Sequence, residues 1–302
     1  KCSIRHEIYG GLDGRRRVFE VVLQFIHISC LSYIFIYMNV YLKNKLAGLL
    51  AEDGIGGKRL MDEVEKGYAR KDSGYIEYLK EELDIEVIAF DEEEYPLKLR
   101  EINDYPVLLF VKGNKELLKM NIFTIVGTRQ MSRYGSNVIE DLLDYDRNIC
   151  IASGLARGVD AEVHRVCLNR CIPAIAVTAG GFFDGYPKSN EYLFKRICDT
   201  GLVISEFPPG RELIKGMFPM RNRILAGIGC GVLVVESGIK GGSMITANFA
   251  LEYGREVSAV PGDIFSEQSS GCNYLISQGA GMITGKGSFY SLFNNDNIAG
   301  AQ

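Results

Sequence analysis

Histidine is scarce, with three copies in 302 residues, and no two of them stand at His-x-x-x-His spacing. None of the eight cysteines belongs to a Cys-x-x-Cys pair. The ligand spacings of structural zinc sites and of multi-histidine metal centres are therefore missing, and no metal or other cofactor is expected. Most of the cysteines lie inside apolar runs, where a free thiol packs as a small hydrophobe, which fits a reducing, cytoplasmic setting. No Gly-x-Gly-x-x-Gly follows Val126, and no Walker lysine motif occurs. The dinucleotide fingerprint and the P-loop are excluded. No nucleophile stands at a defined spacing from a base and its orienter. Charge of one sign is lacking too. The net charge of −4 does not by itself mark a nucleic-acid binder, although a local basic groove is compatible with it.

What the sequence does have is an alternation of short apolar runs and amphipathic stretches from Ile122 to Val260. Runs near 122–127, 149–153, 173–178, 201–205, 231–236 and 256–260 read as buried parallel strands. Helices are expected near 134–146, 158–169, 190–199, 222–228, 242–253 and 272–278, with a last short strand at 282–284. Short links between them predict a right-handed, doubly wound α/β sheet. Before it, 85–90 and 107–111 read as further strands, separated by Tyr95-Pro96 and Tyr105-Pro106, which favour extended or turn backbone. Residues 286–302 read as a loose polar tail.

The N-terminal part is different. Residues 1–43 carry a net +3 (six basic, three acidic), and residues 44–112 a net −7 (ten basic, seventeen acidic). Arg15-Arg16-Arg17 precedes an apolar stretch from Val18 to Leu42, interrupted by Glu20, Gln24, His27 and Asn39. This has the form of a signal anchor without a cleavage site. The reading adopted is that Met38 is the start of the native protein, so that residues 1–37 of the apolar stretch 1–43 lie upstream of it, and that there is no stable membrane association. Residues 44–84 have helical spacing around Gly54-Ile55-Gly56-Gly57 and read as a small helical domain.

In an open parallel sheet, ligands bind outside the carboxyl ends of the strands. Five clusters fall at such ends. Gly127, Thr128, Arg129 and Ser132 join the first main strand to its helix, where helix N–H groups and a guanidinium fork suit an anion. Ser153, Gly154 and Arg157 repeat that arrangement, and Asp160 and His164 follow at helical spacing. Gly180 to Pro187 form a loop rich in glycine and aromatics, followed by Lys188, Asn190 and Phe194, where rings beside basic groups suit base stacking. Arg221, Asn222 and Arg223 are placed at a helix start, where cations are unfavourable unless an anion is bound, with Glu206 as the internal candidate. Gly241, Gly242 and Ser243 open another helix and offer backbone N–H groups. So many anion cradles exceed the needs of one mononucleotide, whereas a single-stranded nucleic acid presents a row of phosphates.

Taken in order, Gly127-Thr-Arg129, Ser153-Gly-Leu-Ala-Arg-Gly-Val-Asp160, Tyr186-Pro187, Ser205-Glu206, Phe218-Pro-x-Arg-Asn-Arg223, Gly242-Ser-x-x-Thr-Ala247 and Val260-Pro-Gly262 resemble the DprA/Smf DNA-processing family. Tyr95-Pro96-x-x-Leu99 and Pro106-x-x-Leu109-x-x-x-Gly113-Asn114 match the stretch that precedes that family's main domain. The likeness covers roughly residues 44 to 285. It implies an extended Rossmann-like, mostly parallel sheet over 85–285 with a small N-terminal helical domain. It also implies single-stranded DNA binding in natural transformation, delivery of that DNA to the RecA recombinase, a homodimer, and no catalysis. Thr128 stands where the family usually has Ser. A second reading comes from Gly241-Gly242-Ser243 with Thr246 and Glu252. These loosely resemble the Gly-Gly-x-Gly-Thr-x-x-Glu motif of phosphoribohydrolases that cut nucleoside monophosphates, with the Glu at the wrong spacing.

Overall fold

The computed structural model describes residues 75–144, 149–183, 187–211 and 213–293. The apolar stretch 1–43, residues 44–74 of the helical module, residues 184–186 of the Gly/aromatic loop and the tail from 294 lie outside the described residues. Among the described residues, no helix is long and apolar enough to cross a membrane.

Nine strands form one mixed sheet among the described residues, in the order β1-β2-β6-β5-β4-β3-β7-β8-β9. The strands are β1 (Glu86–Ala89), β2 (Leu108–Gly113), β3 (Asn121–Val126), β4 (Ile149–Ser153), β5 (Ala174–Val177), β6 (Leu202–Ser205), β7 (Gly231–Val234), β8 (Glu256–Ala259) and β9 (Gly281–Met282). β1 and β2 pair antiparallel with each other, and β2 pairs antiparallel with β6. From β6 to β9 every pairing is parallel. The continuous apolar runs of the sequence become these strands because both faces of the sheet are covered.

Side chains alternate across β3. Phe123 and Ile125 join a core with Ile139 of α3 (Arg133–Leu142) and Val163 of α4 (Val159–Asn169). Ile122 and Val126 join the opposite core with Ile224 of α6 (Met217–Gly227), Ala247 of α7 (Gly242–Glu252) and Leu275 of α8 (Glu267–Ser277). Thr124, between them, donates its hydroxyl to the Leu225 carbonyl at 2.7 Å, which ties β3 to α6. α5 (Glu191–Thr200) lies beside α4 and against β5 and β6. α1 (Tyr75–Leu83) and the one-turn α2 (Leu97–Arg100) precede β1 and β2, respectively.

The chain leaves β3 in one direction through β4, β5 and β6, then returns through α6 to β7 and continues the other way to β9. The connection therefore reverses between β3 and β7, and a topological switch of this kind leaves a crevice at the carboxyl ends of the two strands.

Three expectations need correction. α6 begins at Met217, not at 222. Pro219 reads as a helix breaker, but as the third residue of the helix it lacks only an N–H that has no partner in a first turn anyway. α8 begins at Glu267, five residues before the expected start. The loose tail is partly helix: α9 (Lys286–Ser291) buries Phe289 and Tyr290 in the α3/α4 core, where Phe289 meets Phe123 edge-on at 5.6 Å.

Candidate functional site

At the switch point lies a cleft of about 480 Å³. One wall is the β3–α3 loop, with Gly127, Thr128, Arg129 and Gln130. The other is formed by Phe218, Pro219, Arg221 and Asn222 of α6 and by Gly241, Gly242, Ser243 and Thr246 at the start of α7. Ala156, Asp160, Val126, Leu225 and Ile245 complete the lining. Four of the five expected loop clusters contribute to this cleft, and the cluster of Lys188, Asn190 and Phe194 does not. Arg129, Arg221 and Gly242 share the cleft, and Arg157 is exposed immediately beside Ala156.

The floor is a buried ionic arrangement. Arg221 is 6% exposed and donates through Nη1 to the main-chain carbonyls of Gly154 and Val177, the latter at 3.0 Å. Its Nε donates to Asn222 Oδ1 at 3.1 Å. Asp160, on the first turn of α4, accepts from the Ala156 N–H at 3.3 Å. Burial pushes its carboxyl above the usual range, and the Arg221 charge opposes that push. The same burial lowers Arg221, with Asp160 pulling it back up and Arg129 adding to the depression. Arg129 therefore feels the floor, and the cleft holds two cations against one carboxylate.

The Asp160–His164 spacing does not yield a base and its orienter. Asp160 turns to Ala156 and Arg221, while His164 is fully buried one turn on. Burial pushes its imidazole down to about 4, with the Arg221 charge acting in the same direction, and neither ring nitrogen has a hydrogen-bond partner among the described residues. The unfolded chain takes up this proton near 6.5 and the folded chain near 4, so stability is lost as pH falls through that window. The loss attributable to His164 is expected to be about 2 kcal/mol between pH 7 and 5. Urea unfolding of His164→Gln should lack that component. Asp160 and Glu206, both raised by burial, act in the opposite sense, so variant and parent must be compared across the same pH range.

Groups on the cleft surface are left to meet a ligand. Arg129 is exposed, and its guanidinium lies over the Phe218 ring at 5.2 Å from the centroid. That contact holds a planar cation and an aromatic face side by side. The first turn of α7 opens on the cleft with Gly242 and Ser243, where helix N–H groups have no earlier carbonyl to bond. Asn222 Nδ2 donates to the Gly242 carbonyl at 3.3 Å and so fixes that turn against α6. The Ser243 hydroxyl is engaged with Ser237 Oγ at 2.7 Å.

Several expected ligand groups are committed elsewhere. Ser132 caps α3, accepting from the N–H groups of Tyr134 and Gly135. Its own hydroxyl and N–H donate to the buried Glu236 carboxylate at 2.5 and 2.8 Å. The anion at that helix start is thus internal. Ser153 is buried and donates to the Ile125 carbonyl at 2.7 Å. Arg223 sits inside α6, not at its start, and pairs with Glu206 at 2.6 Å, so its anion is the internal candidate. Phe194 is buried against Phe182. Asn190 donates to the carbonyls of Leu155 and Ala156, both at 3.0 Å. It thereby holds a turn in which buried Leu155 has φ 54°, a conformation that costs energy for a branched side chain. Lys188 is exposed outside the cleft. Gly158, at φ 74°, starts α4 so close to the β3–α3 loop that a Cβ would lie 2.3 Å from the Thr128 carbonyl oxygen; the position demands glycine.

Glu252 ends α7, ten residues from Gly242, or roughly 15 Å along the axis. It cannot serve a group held at Gly242, which removes the carboxylate of the phosphoribohydrolase reading. Phe218, named from sequence only as part of a motif, and Gln130 line the cleft but were not expected as contact residues. For Phe218 the signal was available: an aromatic three residues before an Arg-Asn-Arg run.

Comparison with known proteins gives one picture. The model of a family described as DNA recombination-mediator protein A matches residues 86–294. DNA processing protein DprA of Streptococcus pneumoniae is 43% identical over 191 residues, 63% of this chain and 68% of that protein. DNA processing protein DprA of Bacillus subtilis is 39% identical over 240 residues, 78% of this chain and 79% of that protein. The X-ray structure of the Streptococcus pneumoniae protein superposes with a TM-score of 0.70 at 34% identity, over 86% of this chain and 90% of that one. DNA processing protein A from Helicobacter pylori, solved for its single-stranded DNA binding mode, superposes with a TM-score of 0.64 at 26% identity, over 70% and 96%.

Proposed function

The chain belongs to the DNA recombination-mediator protein A family, and from that premise we propose that it binds single-stranded DNA in the switch-point cleft during natural transformation. In this reading it acts by binding, without a catalytic step, as a homodimer that delivers the strand to the RecA recombinase. In this reading a small helical module, 44–84, precedes the DNA-binding domain, and the packing of Phe289 and Tyr290 into the core supports extending that domain past 285.

One observation carries the reading. Arg129 lies over the Phe218 ring in a cleft that also exposes the start of α7. A phosphate suits the guanidinium and the helix N–H groups, and a base suits the ring. Gly127, Thr128, Gly241 and Gly242 shape the walls; Arg221, Asn222 and Ser243 hold them.

The test is fluorescence anisotropy of a labelled oligo-dT of about 20 nucleotides across a salt series. The logarithm of affinity should fall with the logarithm of salt by about 0.7 for each phosphate neutralised. Phe218→Ala should weaken binding about tenfold at fixed salt. Affinity indifferent to both salt and Phe218 would remove the proposal.

A further inference from the structure

Resting on that reading, we infer that the strand leaves the cleft in one direction, over the β4–α4 turn, onto a second stacking platform made by Tyr192 and Arg196 at the start of α5. Tyr192 is 65% exposed. Arg196, one turn on, donates to its hydroxyl at 2.7 Å and lies over the ring at 5.7 Å. A cation thus restrains the ring from its hydroxyl end, which lowers the entropic cost of receiving a base on it.

Its place in the fold is fixed from the cleft outward. Asn190, immediately before α5, bonds the carbonyls of Leu155 and Ala156, and Ala156 lines the cleft. Arg157 and Lys188 are exposed at the two ends of that link. On α5, Phe194 and Ile197 turn inward, and Cys198 lies on the flank near Lys112 of β2. At 100° per residue, Tyr192 falls opposite that inward pair, on the solvent face of α5, with Arg196 beside it on the side away from Cys198. From the β3/β7 crevice to α5 is about three strand spacings, roughly 15 Å. The gap exceeds what one nucleotide spans, and Arg157 and Lys188 stand along it. The acid on α5's first turn, Glu191, is occupied by Lys195 at 2.7 Å.

The opposite exit is unsuited to a polyanion. The β8–α8 segment, 261–267, has Asp263 and Glu267 and no basic residue. Like charge there repels phosphates, whereas the α5 side attracts them.

The protein has no tryptophan, so Tyr192→Trp installs a single reporter. An oligo-dT of about 20 nucleotides should quench it by stacking, and one of about three nucleotides, filling the cleft alone, should not. Tyr192→Ala and Arg196→Ala should each weaken the long oligonucleotide about tenfold and leave the short one unchanged. A reporter left unquenched at saturating long DNA, while Arg129→Ala still weakens binding, would overturn this path and leave the cleft assignment standing. If Arg129→Ala also left binding unchanged, both would fall.

Discussion

Arg221→Ala is expected to cost about 3–5 kcal/mol of folding stability, because it removes one partner from a buried pair. The guanidinium satisfies the carbonyls of Gly154 and Val177, at the ends of β4 and β5, and is the counter-charge of buried Asp160. Without it two carbonyls lose a donor, and a desolvated carboxylate stands unopposed. Chemical denaturation measures the loss directly. Asp160→Asn in the Arg221→Ala background should recover part of it, since the stranded charge is then gone. Gly154→Ala should act on the same group from the other side: the added Cβ would lie 1.8 Å from Arg221 Nη1 and 2.6 Å from Asp160 Oδ2. Additive losses in the Arg221/Asp160 double variant would refute the coupling.

Arg129→Ala is expected to do the reverse. Its guanidinium is exposed and rests on Phe218, so stability should change by less than about 0.5 kcal/mol. Affinity for single-stranded DNA should fall by about 2–3 kcal/mol, on the order of 30- to 100-fold, the contribution of a charge-assisted contact plus the stacked cation. Arg129→Lys should recover only part, since an ammonium keeps the charge but not the plane or the fork. Anisotropy titration and thermal unfolding of the same samples separate the two arginines. A variant at Arg129 that unfolds early yet binds normally would reverse the assignment.

Much of the fold was legible in the sequence. β3, β4, β7 and β8 sit within two residues of their expected ends, because apolar runs bounded by glycine and polar turns have few alternatives. The start of α6 was misread, since Pro219 breaks a helical pattern unless the helix has only just begun. The tail was misread because α9 is short and its apolar pair, Phe289 and Tyr290, gains from packing against Phe123, 166 residues away from the nearer of the two in sequence. Local periodicity carries no trace of such a partner.

The division at the site is similar. The sequence by itself determined that several loops end strands of one parallel sheet, and therefore meet on one edge with anion-binding groups. It could not decide which cations face outward. Arg129, Arg221 and Arg223 are alike as residues. Tertiary packing placed a carbonyl pair and Asp160 around Arg221, put Glu206 against Arg223, and gave Arg129 only an aromatic ring and solvent. Burial makes an unpaired charge so costly that each enclosed arginine must find an internal partner, and only a charge left at the surface remains free to meet a ligand.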